Sequence, residues 1–156
     1  MAVSPDPTSL ENLGFMLQDV ARLMRREFNR RVEEMELTQA QWRALAILSR
    51  NPGMWQCHLA DMLEMQPISV ARLIDRMQAA GWVERRADKG DRRAMQLFLT
   101  KESVPTLKRL KKHGAGCRGD ALRGISTAEQ EQFMSVLLKM RANITAECAK
   151  RAAEGE

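Results

Sequence analysis

Between Gln66 and Arg93 the chain sets out cations at spacings that suit a polyanion. Ser69, Arg72 and Arg76 recur three and four residues apart, so on a helix they share one side. The planar fork of an arginine can pair bidentately with the major-groove edge of guanine. Gln66 and Pro67 open this stretch, and the N–H groups at a helix start attract phosphate. Further on, Lys89, Arg92 and Arg93 surround Gly90 and Asp91 at what looks like a hairpin tip, where they suit the minor groove. The candidate nucleic-acid contacts are therefore Gln66, Pro67, Ser69, Val70, Arg72 and Arg76 from the helix, and Lys89, Asp91, Arg92 and Arg93 from the hairpin. Arg76 serves equally well as a phosphate contact or as the partner of Asp75 or Glu84.

Other chemistries find few residues. No activated nucleophile, carboxylate pair, metal cluster or glycine-rich phosphate loop stands out, so catalysis is not expected and no cofactor is implied. Cys57, Cys117 and Cys148 are far apart with no CxxC, which fits a reducing compartment better than a disulfide framework. Cys57 lies beside His58 and is open to two readings, an activated thiol or a small buried hydrophobe. Two histidines cannot make a His-rich site, and eleven methionines at helical spacing read as adaptable core rather than copper ligands.

The totals agree with a polyanionic partner. The 156 residues carry a formal charge of +5 and a pI near 9.5. The excess is central: residues 66–93 hold seven Lys/Arg against four Asp/Glu, and 100–124 hold seven against two. Over 101–123 alone a solvated helix face explains the bias as well. With no secretory signal and no apolar run of about 18 residues, the expected location is the cytoplasm and no membrane partner is expected.

The elements that would position these cations follow from periodicity. Residues 1–8, with Pro5 and Pro7, read as a loose tail. Thr8 or Ser9 caps a helix expected from Leu10 to about Glu36, its stripe running Leu13, Met16/Leu17, Val20, Leu23/Met24, Phe28, Val32. Thr38 and Gln41 make a capping box for a second helix that stops at Asn51-Pro52-Gly53. Met54–Cys57 suits a small strand, and His58–Glu64 a short helix with Leu59, Met62 and Leu63 inward. Pro67 is placed as the first residue of the next helix. There Val70, Leu73, Ile74 and Met77 form the apolar stripe, small Ala71 sits on the turned-away face, and Gly81 ends the helix at the C′ position. Two strand-like runs follow, Trp82–Arg86 and Ala94–Leu99. Val104, Leu107 and Leu110 then begin a helix expected to fray, bend or break at Gly114, Gly116 and Gly119. Ser126 and Glu129 box the last helix, which carries Phe133, Val136/Leu137, Met140 and Ile144 on one face.

Three short helices followed by a hairpin make a winged helix-turn-helix over about 37–100, in a mainly α fold. The expectation is a single domain over 9–150, with 9–36 and 101–150 as dimerisation helices. Their apolar stripes exceed what one reading module can cover, so a two-fold dimer competes with a monomeric bundle.

In this order and spacing the chain resembles a MarR-type transcriptional regulator over nearly all of residues 10–150. The resemblance rests on Thr38-Gln39-Ala40-Gln41-Trp42, Leu59-Ala60, Ser69 to Met77, Gly81-Trp82-Val83-Glu84-Arg85, Asp91-Arg92-Arg93, Leu99-Thr100 and Gly124-Ile125-Ser126. It implies a homodimer on a pseudo-palindromic operator, usually a repressor, often released by a small anionic or phenolic compound. It also implies that Asp91 holds the wing and that Arg93 reaches the minor groove. The family's effector pocket lies between reading module and dimer helices. Candidates here are Phe15, Leu17, Leu23, Trp42, Met62 and Met65, with Arg22 or Arg43 as carboxylate anchors. Peroxide-sensing members carry a cysteine near the start of the first helix. Phe15, Met16 and Leu17 stand there instead, which leaves Cys57 as the redox alternative. A constitutive DNA binder without effector is the other.

Overall fold

The computed structural model describes residues 9–87, Gly90 and 95–154, with the side chains of 151–154 left aside. The expected tail at 1–8 lies outside the described residues. By its backbone contacts the chain forms two compact units, Met1–Cys117 and Arg118–Glu156.

The first unit is built around a core whose elements are started and stopped by local chemistry. Ser9 Oγ accepts the Glu11 N–H at 3.2 Å, opening a 3-10 turn that leads into α1 (Leu13–Arg31). This α-helix stops short of Glu36. A 3-10 turn, Glu33–Met35, follows, and Glu36 takes a left-handed φ of 53°. Three glutamates stand where helical carbonyls would already present negative charge, so extending the helix is unfavourable. Thr38 then starts α2 (Gln39–Leu48) with both halves of the box formed: the Gln41 N–H donates to Thr38 Oγ1 at 3.2 Å, and the Thr38 N–H to Gln41 Oε1 at 2.9 Å. Such a cap contributes about 1 kcal/mol.

After the turn at Gly53, β1 (Met54–Trp55) leads into α3 (Gln56–Leu63) and then α4 (Pro67–Ala79). Gly53 has a φ of 78° and lies under the Phe98 ring, 3.0 Å from where a Cβ would stand. Pro67 occupies the first turn of α4, where its missing N–H removes nothing. At the other end Gly81 has a φ of 76°. Its N–H donates to the Gln78 carbonyl and the Trp82 N–H to the Met77 carbonyl, each at 2.9 Å, a Schellman closure.

That closure feeds β2 (Val83–Ala87), which pairs antiparallel with β3 (Met95–Leu99), Val83 opposite Leu99 and Ala87 opposite Met95. β1 adds to the other side of β3, giving the order β1-β3-β2. Only Leu97 of β3 is fully buried; Met95 is exposed and Phe98 half-buried. A 3-10 turn (Lys101–Ser103) leads to α5 (Val104–Ala121). The buried Ser103 satisfies its hydroxyl by donating to the Thr100 carbonyl at 2.8 Å.

One continuous core joins Val32, Ala44, Leu45, Leu48, Leu59, Leu63, Val70, Ile74, Met77, Val83, Leu97 and Leu110. The helix–turn–helix and the base of the hairpin thus fold as one packed body. Two expectations fail here. Met62 does not turn inward but is 50% exposed, and Ala60 takes the buried place. α5 does not break at its glycines. Leu110 and Cys117, two turns apart, are buried and bracket Gly114 and Gly116, and Gly114 lies against the Phe28 ring. Packing thereby offsets a glycine cost of up to about 1 kcal/mol each.

In the second unit, Ser126 caps α6 (Thr127–Glu154): its N–H and hydroxyl donate to Glu129 Oε2 at 2.8 and 2.6 Å, and its Oγ accepts the Glu129 N–H at 3.3 Å. These bonds hold the Glu129 carboxyl below its ordinary pKa.

Candidate nucleic-acid interface

α4 is the element that can present a reading face, because its other face is fixed. Val70, Ile74 and Met77 are completely inaccessible and Leu73 nearly so, which sets the helix's rotation about its own axis. Val70 therefore leaves the set of nucleic-acid contacts: it is core, one residue from Ser69 but turned about 100° away from it. Gln66, Pro67, Ser69, Arg72 and Arg76 are all exposed.

Among the described residues, Arg72 and Arg76 make no ion pair and no side-chain hydrogen bond. The three partnerships open to Arg76 reduce accordingly, since Asp75 pairs with Arg85 at 2.7 Å and Glu84 pairs with Arg86. Both cations of α4 face water. By contrast, Arg86 also lies over the Phe98 ring, 4.2 Å from its centroid.

Arg85 is a residue whose role sequence reasoning missed. From β2 its guanidinium donates to Gln56 Oε1 at 3.2 Å, to Gln78 Oε1 at 3.1 Å and to the Ala71 carbonyl at 3.1 Å, besides its ion pair with Asp75. One side chain thus ties the start of α3, the flank of α4 and the hairpin together. It also takes up Asp75, the acidic group on α4. Ala71, read as a small residue on the open face, lies half-buried on this braced flank instead. No local signal marks Arg85, because its partners come from elsewhere in the chain.

The phosphate-binding capacity of the α4 N-terminus is narrower than its position suggests. Pro67 has no N–H, and the Ser69 and Val70 N–H groups donate to the Gln66 carbonyl at 2.9 and 3.1 Å. The Ile68 N–H remains. Gln66, the N-cap, makes no side-chain capping bond. Lys89, Asp91, Arg92 and Arg93 lie outside the described residues. β2 and β3 carry the chain to and from them at Ala87 and Met95.

The effector candidates lie on α1 (Phe15, Leu17, Arg22, Leu23), α2 (Trp42, Arg43), α3 (Met62) and the turn after it (Met65). Arg22 pairs with Asp19 at 2.6 Å and lines a shallow depression of about 320 Å³ with Phe15, Gln18, Asp19 and Arg25, all on α1. Trp42 packs on Phe28, ring centroids 4.5 Å apart, and its indole N–H donates to Asn29 Oδ1 at 2.7 Å. Arg43 is taken up at the end of α3, donating to the Met62 and Leu63 carbonyls at 3.3 Å each. Met65 is half-buried against the core. Trp42 and Arg43 thus already have partners within the fold.

Of the cysteines, Cys57 is exposed in the first turn of α3, so it is not a small core hydrophobe. Its neighbour His58 stacks on Trp55 with centroids 5.4 Å apart. Cys117 is buried, its thiol directed at the Met24 carbonyl at 3.7 Å, and Cys148 is exposed. Among the described residues no group of three or more His, Cys, Asp or Glu could hold a metal ion. No helix there is long and apolar enough to cross a membrane.

A three-helix core with an outward-facing basic helix and a following hairpin defines a winged helix-turn-helix of the DNA-binding class. Residues 37–95 match the MarR family. The chain is similar to the transcriptional regulator PA3341, with 32% identity and a TM-score of 0.76 over 86% of this chain and 98% of that one. It is also similar to a MarR-family transcriptional regulator from Silicibacter pomeroyi, at 26% identity and a TM-score of 0.75 over 85% and 89% of the two chains. The fold likeness extends to the transcriptional regulator SlyA, at 23% identity and a TM-score of 0.72 over 87% and 96%. The chain belongs to the MarR family of transcriptional regulators. Membership of that family implies DNA binding.

Proposed function

We propose that this protein is a sequence-specific, homodimeric repressor that binds a pseudo-palindromic operator and is released by a small anionic or aromatic effector. The observation that carries the DNA-reading part is the pair Arg72 and Arg76, exposed and uncommitted on a helix whose opposite face is locked into the core. Arg72 reads a base edge in the major groove, Arg76 and Gln66 hold phosphate, and Ser69 flanks them. At the wing, Asp91 braces the turn and Arg93 enters the minor groove, with Lys89 and Arg92 offered to the same groove. In this reading residues 37–100 do the reading, while 9–36 and 101–150 pair with a second copy.

Support for the second copy comes from apolar side chains left in water. On α1, Leu13, Met16, Val20, Leu23 and Met24 are 37–46% exposed, and on α6 Phe133, Val136 and Ile144 are 47–62% exposed. Stripes of this length at helical spacing mark interaction faces. The matching test is selection of bound duplexes from a random pool, followed by titration of the selected duplex against Arg72→Ala and Arg76→Ala. Wild-type affinity in both variants overturns the reading. Affinity for the selected duplex should also fall linearly with salt on logarithmic axes.

The exposure of Cys57 favours a second reading, in which oxidation of this thiol releases DNA. Peroxide treatment of wild type and Cys57→Ser separates it: equal DNA binding by both after treatment removes the redox role.

A further inference from the structure

The outward face of α4 holds one side chain that neither the core nor the charge pattern accounts for. Ile68 is 65% exposed, the most exposed large apolar side chain between residues 37 and 100 among those described. A lone apolar group on a surface is commonplace; the direction of this one is not. At about 100° per residue, the position opposite the buried stripe of Val70, Leu73, Ile74 and Met77 falls between Ile68 and Arg72. These two lie about 40° apart around the axis, one turn separating them. Ser69 and Arg76 stand roughly 70–90° to one side of that position. Asp75, the remaining outward group nearby, is held by Arg85. The first turns of α4 thus present a branched hydrocarbon and a free guanidinium, side by side.

We propose that Ile68 is a specificity-determining residue that reads thymine through its C5-methyl group, next to the base read by Arg72. The proposal rests on the reading above, that α4 enters the major groove. There the thymine methyl is the apolar feature of the base edges, and the N-terminal residues of a recognition helix are those that reach them. Packing the sec-butyl group of Ile68 on that methyl removes apolar surface of both partners from water. Cytosine at the same place would set its N4 amino group against hydrocarbon and leave a donor unmet. The surroundings suit a target of this size. Ser69, Arg72 and Arg76, all exposed, share the outward side of α4 with Ile68, unlike the broad apolar patch that a protein partner requires.

The test removes one methyl at a time. A duplex is selected from a random pool by the full-length wild-type protein, and each thymine in it is replaced singly by deoxyuridine, which keeps the pairing. One thymine per half-site should cost wild type about fourfold in affinity, the worth of one buried methyl-sized group. Ile68→Ser, at an exposed position, should bind the thymine and uracil duplexes alike. A flat scan for wild type overturns the proposal, as does the same penalty in Ile68→Ser. Arg72→Ala separates the two levels of inference. If it loses binding while the scan is flat, only the role of Ile68 fails; if it binds as wild type does, the reading of α4 fails with it.

Discussion

The winged unit and the helices α1 and α6 solve the same problem in opposite ways. From Val32 to Leu110 the chain encloses a core with ten or more fully buried apolar side chains. α1 has no buried residue, and α6 has none among its described side chains. Yet α1 and α6 carry apolar residues at helical spacing just as α4 does. The difference is closure. Helices α2, α3 and α4 and the hairpin are short and joined by tight turns, so they cover one another. A long single helix presents more stripe than one neighbour covers, so α1 and α6 keep apolar side chains exposed. The same contrast separates the arginines. Arg85 and Arg86 are spent on the fold, whereas Arg72 and Arg76 remain available.

The largest way to break this comparison is on α6. Phe133→Glu combined with Ile144→Glu should convert a dimer to a monomer by light scattering and abolish operator binding; an unchanged mass would place the second copy elsewhere. Next comes the core, where Leu45→Ala should cost about 2–5 kcal/mol in urea unfolding, against a small change for Met16→Ala in the monomeric double variant. Arg72→Ala should weaken binding to the selected duplex by about 1–3 kcal/mol and leave the melting temperature in place. Arg85→Gln should do the reverse in part. A loss of about 1–2 kcal/mol of stability fits one or two half-buried hydrogen bonds, the exposed Asp75 adding little, with Arg85→Lys recovering some of it.

The smallest effect is a pH dependence in α1. Hydrogen bonds from Arg30 and then Arg31 hold the Glu27 carboxyl down to about 2 from an ordinary 4.5. A carboxylate depressed by folding contributes stability above its unfolded pKa, and that contribution disappears as pH falls through the folded value. Thermal melts between pH 4.5 and 2 should therefore decline less steeply for Glu27→Gln than for wild type. Equal slopes would show that the pair stabilises nothing.

Much of the fold was legible because its signals are local. The Thr38–Gln41 and Ser126–Glu129 boxes, Pro67 in the first turn and Gly81 past the last all lie within four residues of what they act on. The stripe Val70, Leu73, Ile74, Met77 was readable from periodicity alone. Where local rules were applied beyond their reach they failed. Glycine propensity argued for a break in α5, which packing around Leu110 and Cys117 overrode. The first helix was expected to run on to about Glu36, whereas the α-helix ends at Arg31, ahead of the acidic run.

By itself, then, the sequence determined the order of elements, their caps, the apolar stripe of each helix and the placing of positive charge in the middle of the chain. All of these depend on residues within a turn or two of each other. Only the tertiary structure decided which cations are free. Arg85 finds Gln56 and Ala71 at separations of 29 and 14 residues, and no periodicity reports such a meeting. The same holds for direction: Val70 lies at the centre of the core and Ile68 opposite it, two residues apart on one helix. Their types are alike, and burial of one face by β2, α2 and α3 is what tells them apart.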